Sequence, residues 1–294
     1  MTISLLLCGC SYQESYRGGV EMDKSYKELS TIFRQYGLNG LNDELVYNLE
    51  QRYKELPSEI EFNKAANLLT SLGARGFELW LEGSDVLLSL SLPTAPSEIR
   101  LFYSLVEKIC NEFNTKKYLR EDEEAYLYED EEFIKWDEEA SIVALEDMTS
   151  KTEDEYRCFE IFGIYNPISI GQRELQRIDC NLNNLEEYLN EIQSLDVYYA
   201  TPSVYRKKDT NELFGIYSIV ADIPCVVPNK PYIILDQIKG VNYWYVMIRK
   251  GMTVTYDDFI NHISSKEYYD ANHVIALLND DEIDALIEQY SVEI

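Results

Sequence analysis

The chain offers few side chains of the kinds that do acid–base or covalent chemistry, and their spacing rules out most familiar schemes. Its only imidazoles are His262 and His273. A helical zinc site of the H-E-x-x-H kind cannot be built from them, and any cysteine–histidine couple would have to use one of the two. Each falls where a bland role is expected, His262 on a short helix after Tyr256 and His273 at the head of an apolar run. Cys8, Cys10, Cys110, Cys158, Cys180 and Cys225 are scattered through the chain, and only Cys8 and Cys10 are close together. No second Cys or His pair accompanies them at metal-ligand spacing, so they read as unbridged thiols. The patterns G-x-x-x-x-G-K-[ST], G-x-G-x-x-G and G-x-S-x-G are absent. Phosphate loops, dinucleotide folds and nucleophile elbows go with them. No cofactor or metal is implied, and catalytic residues stay unassigned.

Carboxylates are too plentiful to single out a catalytic pair: Asp and Glu number 53. Asp257-Asp258 and Asn279-Asp280-Asp281-Glu282 lack the alternating ligands and central Gly of a calcium loop. Both sit where helix starts are expected, and acids there complement the helix dipole.

The feature with a physical meaning is acid combined with tyrosine. The chain has 24 Tyr, several set among carboxylates, including Tyr118, Tyr126, Tyr128, Tyr256, Tyr268 and Tyr269. Tyrosine gives a large rigid contact with a polar tip, and surrounding carboxylates steer basic partners. The candidate partner-binding residues are Tyr126, Tyr128 and Trp136 with Glu129, Asp130, Glu131 and Glu132. They lie in residues 119–150, where 13 acidic groups face two basic ones.

The whole chain carries a net charge of −27. Such a field repels phosphate backbones and anionic membrane surfaces, so nucleic acid and membrane are excluded as partners and a basic protein is expected. Arg206-Lys207-Lys208 is the longest basic run. Ile3 to Cys8 is apolar but has no basic residue before Arg17, so it reads as a buried strand rather than a signal peptide. No segment approaches the ~18 apolar residues of a membrane span. Oligomeric state is not legible. The location expected is cytoplasmic.

The elements that must position these groups follow from periodicity. Asn42 precedes a helix bearing Leu45, Val46, Leu49 and Tyr53, and Ser58 with Glu61 boxes the start of a second. The period then becomes two: 77–82 and 86–92 read as a hairpin, with Val86, Leu88, Leu90 and Leu92 on one face. Pro96 opens a helix with Ile99, Phe102, Tyr103, Val106 and Ile109 on one stripe. Further on, Asn184 precedes a helix with Leu185, Tyr188, Leu189, Ile192 and Leu195. Strands are expected over 196–205, 213–221, 241–248 and 273–278, and Asn279 with Glu282 caps a final helix. The fold class is α+β, with antiparallel hairpins packed on amphipathic helices and two halves that share this vocabulary. Charge divides the chain into an N-terminal α+β domain (1–118), an acidic connector (119–150) and a C-terminal α+β domain (151–294).

Arg75-Gly76-Phe77-Glu78, Leu90-Ser91-Leu92-Pro93-Thr94, Gln193-Ser194-Leu195-Asp196-Val197-Tyr198-Tyr199-Ala200 and Tyr256-Asp257-Asp258-Phe259 carry a resemblance. In these stretches the chain resembles an uncharacterised bacterial family of about this length, known only as a domain of unknown function. The resemblance covers most of the chain after residue 40 and implies a bacterial cytoplasmic protein. It supplies no activity and no site residues. The function expected is an acidic protein-binding module that neutralises a basic toxin or enzyme. The alternative is a hydrolase or transferase with a carboxylate- or Cys-centred site.

Overall fold

A computed structural model describes residues 3–8, 75, 77–82, 85–112, 114–121, 123–151, 158–163, 166–208, 210–233 and 240–294. The helices expected between 42 and 73 lie outside the described residues, as does Cys10. The chain divides into two compact units. The first is Met1–Arg157, Ile161–Pro167 and Leu175–Gln193; the second is Cys158–Glu160, Ile168–Glu174 and Ser194–Ile294. With six helices and mixed sheets among the described residues, the fold class is α+β.

In the first unit, β1 (Ile3–Cys8) is the middle strand of a five-stranded sheet. On one side lies the antiparallel hairpin β2 (Phe77–Glu82) and β3 (Asp85–Ser91); on the other lies the hairpin β4 (Lys117–Arg120) and β5 (Glu123–Tyr126). β1 runs parallel to both β3 and β4, so this sheet is mixed where antiparallel pairing alone was expected. An apolar run such as Ile3-Ser4-Leu5-Leu6-Leu7 suits a central strand, which has neighbours on both edges. Leu88 and Leu90 are fully buried, as the alternation predicts.

Helix α1 (Pro96–Glu112) buries Ile99, Phe102, Tyr103, Val106 and Ile109, the stripe read from the sequence. It packs against α2 (Asp130–Lys151), which follows a one-turn 3-10 segment, Leu127–Glu129. Residues 119–150 are thus mostly hairpin and helix, anchored by the buried Phe133, Ile134, Leu145 and Met148. Leu90→Ala is expected to cost about 2–5 kcal/mol, the range for truncating a buried leucine. A chemical-denaturation loss of only a few tenths of a kcal/mol would place Leu90 off the core face of β3.

Next come the two-stranded sheet of β6 (Phe159–Phe162) and β7 (Pro167–Ile170), then α3 (Gln172–Ile178) and α4 (Leu182–Gln193). Helix α4 starts earlier than Asn184. Asn181 is its cap, with Oδ1 accepting from the amides of Asn183 (2.9 Å) and Asn184 (3.3 Å), and Leu195 falls beyond its end and is exposed.

The second unit holds β8 (Tyr198–Tyr199), β9 (Ser203–Arg206), β10 (Leu213–Ser218), β11 (Cys225–Pro228), β12 (Val241–Arg249) and β13 (Met252–Thr255). After them come α5 (Tyr256–His262), β14 (Lys266–Tyr268), β15 (His273–Ala276), α6 (Asp280–Tyr290) and β16 (Ser291–Val292). One sheet has the order β16-β13-β12-β10-β9, the other β14-β15-β11-β8. The single strand expected over 196–205 is two, broken around Pro202, because proline gives no ladder donor. Gly215 stands opposite Trp244, and a Cβ there would meet the indole at 2.3 Å; only glycine lets the ring lie so close. The sheets and helices enclose a core that includes Val227, Val246, Val254, Phe259 and Ile283. Helix α6 carries the expected box: Asn279 Oδ1 accepts from the Glu282 amide (3.0 Å), and Glu282 accepts from the Asn279 amide (2.9 Å).

Candidate functional site

In the first unit the acidic stretch passes from the hairpin β4–β5 through the 3-10 turn into α2. The hairpin β4–β5 delivers Tyr126 to the 3-10 turn, and the turn delivers Tyr128 to solvent, where its side chain is 80% exposed. The two rings stack with centroids 5.4 Å apart at an interplanar angle of 17°. The pair is held from below. Glu129 accepts from the Tyr126 amide at 2.7 Å, and the Tyr126 hydroxyl bonds to Glu124, which also pairs with Lys117 at 2.6 Å. Trp136 stands farther along α2, 47% exposed, with its indole edge-on to the buried Phe133 at 5.3 Å. The structure therefore joins Tyr126 to Tyr128, while Trp136 has its own footing. Glu131 and Glu132 are exposed in the first turn of α2, and neither forms an ion pair among the described residues.

Asp130 differs from its neighbours. It is half-buried, with Oδ1 accepting from the Tyr118 hydroxyl at 2.7 Å. Burial, opposed by that bond and helped by Glu107, Glu129 and Glu131, raises its pKa from 3.8 to about 6. A carboxyl raised in this way favours the folded state below its unfolded pKa, and that contribution is lost as pH rises through the folded value. The denaturation midpoint should therefore fall between about pH 4 and about pH 6.5 by more in the parent than in Asp130→Asn. Equal slopes in the two proteins would show that Asp130 titrates as a surface group.

Three of the tyrosines set among acids are not surface groups. Tyr118, Tyr256 and Tyr269 are buried, with the Tyr256 hydroxyl on the Pro228 carbonyl (2.5 Å). On the buried face of α2, Asp137 accepts from Arg120 Nη2 (2.7 Å) and the Tyr103 hydroxyl (2.5 Å). Burial outweighs both partners and raises its pKa.

The second unit contains a network that the sequence reading passed over. His273, expected at the surface or the edge of the core, is 1% exposed. Asp270 lies three residues earlier in a tight turn, so its carboxylate folds back on the chain. Oδ1 accepts from the amides of Asn272 (2.9 Å) and His273 (2.8 Å) and meets His273 Nδ1 at 2.7 Å; Oδ2 accepts from the Ser169 amide at 2.9 Å. With Asp270 an acceptor only, Nδ1 carries the hydrogen. On the far side of the ring, Nε2 lies 2.9 Å from the Tyr199 hydroxyl and 3.1 Å from that of Tyr232, which donates to Glu160 at 2.8 Å.

An oriented imidazole within reach of two hydroxyls is the geometry of a general base and a nucleophile. The electrostatics oppose that use of the phenols. Burial first, then carboxylates including Asp270 and Glu160, push Tyr199 well above the ordinary phenol range, and burial with Tyr199 and Glu160 does the same to Tyr232. They stay protonated donors. Cys158 is an exposed residue, yet partial desolvation and the carboxylates of Asp270, Glu160 and Glu174 push its thiol up, the reverse of activation. Among the described residues, no group of three or more His, Cys, Asp or Glu is placed to hold a metal ion. None of the described helices is long and apolar enough to cross a membrane.

Fold and site together define an α+β protein with an acidic, aromatic edge on one unit and a buried imidazole network in the other. The chain belongs to the family described as Domain of unknown function (DUF4299), whose model matches residues 24–286. No curated protein and no solved structure matches the chain.

Proposed function

We propose that the protein is an acidic, cytoplasmic, bacterial binding module that captures a basic protein, a toxin or enzyme it neutralises, through the edge bearing Tyr126, Tyr128 and Trp136. The observation that carries this reading is the 80% exposure of Tyr128, stacked on a braced Tyr126, with Glu131 and Glu132 nearby in sequence and in no ion pair among the described residues. A ring already held in place loses little freedom on binding, which is where interface tyrosines gain their energy. Exposed acids around it act over about one Debye length, ~8 Å in physiological salt, and so govern the encounter.

The two contributions separate in kinetics. Glu124 and Glu129 brace the tyrosines, so the charge variant is best made at Glu121, Glu123, Glu131 and Glu132. Converting these to Gln should slow association with a basic partner and flatten its salt dependence. Tyr128→Ala with Trp136→Ala should instead raise the dissociation rate about ten-fold or more. If both variants bind as the parent does, with the fold intact, the edge is only a solvated surface.

A second reading, a hydrolase or transferase, is supported by one observation, the Asp270-oriented imidazole beside Tyr199 and Tyr232. Turnover of ester, phosphoryl or glycosidic chromogenic substrates, lost in a folded His273→Gln variant, would move the assignment there.

A further inference from the structure

The outward side of α2 extends well past the residues considered so far. Trp136, Ala140, Val143 and Asp147 follow one another at steps of four, three and four, which places them in one row along the helix. All four are exposed, Val143 at 61% and Trp136 at 47%. The opposite side of the same helix, Ile134, Asp137, Ser141, Leu145 and Met148, is buried. Along one flank of the exposed row stand Glu132, Glu139 and Glu146, repeating every seven residues. None of these three forms an ion pair among the described residues, whereas Asp147 pairs with Lys151 at 2.5 Å.

Trp136, Ala140 and Val143 at steps of four and three, with like charges alongside at a seven-residue repeat, make the seam pattern by which one helix receives another, and the paired Asp147 ends the row. The charge spacing selects the occupant. Seven helical residues advance about 10.5 Å. A second helix with Lys or Arg at a seven-residue repeat presents cations at the same interval. An extended strand repeats its side chains every ~6.7 Å on one face and cannot meet successive carboxylates in step.

We propose that the exposed row of α2 docks a basic amphipathic helix of the partner, lying along the row from Trp136 to Asp147. The inference rests on the reading of the acidic edge as a docking surface and adds the form of what binds there. Trp136 belongs to both surfaces; Ala140, Val143, Glu139 and Glu146 are assigned here. The matching span is about 16 Å, or three turns of helix.

The probe is a 21-residue labelled peptide with Leu at a and d and Lys at e and g, titrated at low salt and followed by anisotropy. Its control has the same charge, with two central residues outside the apolar seam replaced by Pro. The helical peptide should bind at least about ten-fold more tightly than the control. Val143→Asp and Ala140→Asp, both at exposed positions, should each weaken it by a similar factor. Circular dichroism would check that the fold is retained. Equal affinity for the two peptides, or binding indifferent to Val143→Asp, would overturn the helical occupant and leave the basic-partner reading standing. Self-association that Val143→Asp abolishes and neither peptide competes with would assign the row to a second copy, and also overturn it. Absence of salt-dependent binding by either peptide would remove the acidic-edge reading itself.

Discussion

Asp270→Ala should destabilise the protein by about 5 kcal/mol, the upper end for a single substitution, because it strips the acceptor from four donors at once. Those donors are the amides of Ser169, Asn272 and His273 and the Nδ1 hydrogen of His273. Asp270 is fully buried, so no water is at hand to replace it. Each orphaned buried donor costs about 1–3 kcal/mol, and the four are too close to add fully. Asp270→Asn keeps one oxygen, which can still serve the three donors on Oδ1, and should cost about 2 kcal/mol. The gap between the two variants identifies the cause. Equal, small losses from urea titrations would mean that the carboxylate does not organise this turn in solution.

The second large effect belongs to the first unit. Asp137→Ala should cost about 3–5 kcal/mol, because it leaves the Arg120 guanidinium largely buried with its carboxylate gone. The Arg120 side chain is 14% exposed and that of Asp137 is 1% exposed. The Tyr103 hydroxyl loses its acceptor in the same step. Arg120 keeps two weaker contacts, its guanidinium lying 4.8 Å from the centre of the Phe133 ring and its Nε donating to the Tyr103 hydroxyl at 3.4 Å. The pair itself is worth far less than its breakage. Burial raises the Asp137 pKa despite Arg120, so desolvation already exceeds what the pairing returns. Asp137→Leu combined with Arg120→Met should therefore cost far less than the two single changes together, the remainder being the Tyr103 hydroxyl left without its acceptor. A double variant as unstable as the sum of its parts would contradict this.

What the sequence revealed follows from how local each signal is. The α1 stripe, the Asn279–Glu282 box and the alternation of Leu88 and Leu90 need only a few neighbouring residues, and all three stand as read. Helix α2 was hidden because its buried face contains Asp137 and Ser141, which interrupt the apolar period. Acid on the exposed side then masked what remained of the helical period. The parallel pairing of β1 with β3 joins residues more than 80 positions apart, and no local pattern specifies it. The His273 network was half legible. Asp270 and His273 are three apart, a spacing that lets a turn carboxylate reach back to the chain. Tyr199, 74 residues from His273, comes to the imidazole through the sheet order, and Tyr232, 41 residues away, through the segment that follows β11. Tyrosine count also misled in part, since Tyr118, Tyr256 and Tyr269 serve the core.

The edge around Tyr128 is proposed to hold a basic protein, first by charge and then by ring contact. The most direct test immobilises three forms of the full chain: the parent, the Gln variant at Glu121, Glu123, Glu131 and Glu132, and Tyr128→Ala with Trp136→Ala. Each is exposed to native cell extract at low salt and eluted with rising salt, and the eluates are compared by mass spectrometry. A discrete basic protein should be retained by the parent and released as salt rises. It should elute at lower salt from the Gln variant and be nearly absent from the aromatic variant. The same proteins retained by all three, at the same salt, would contradict it.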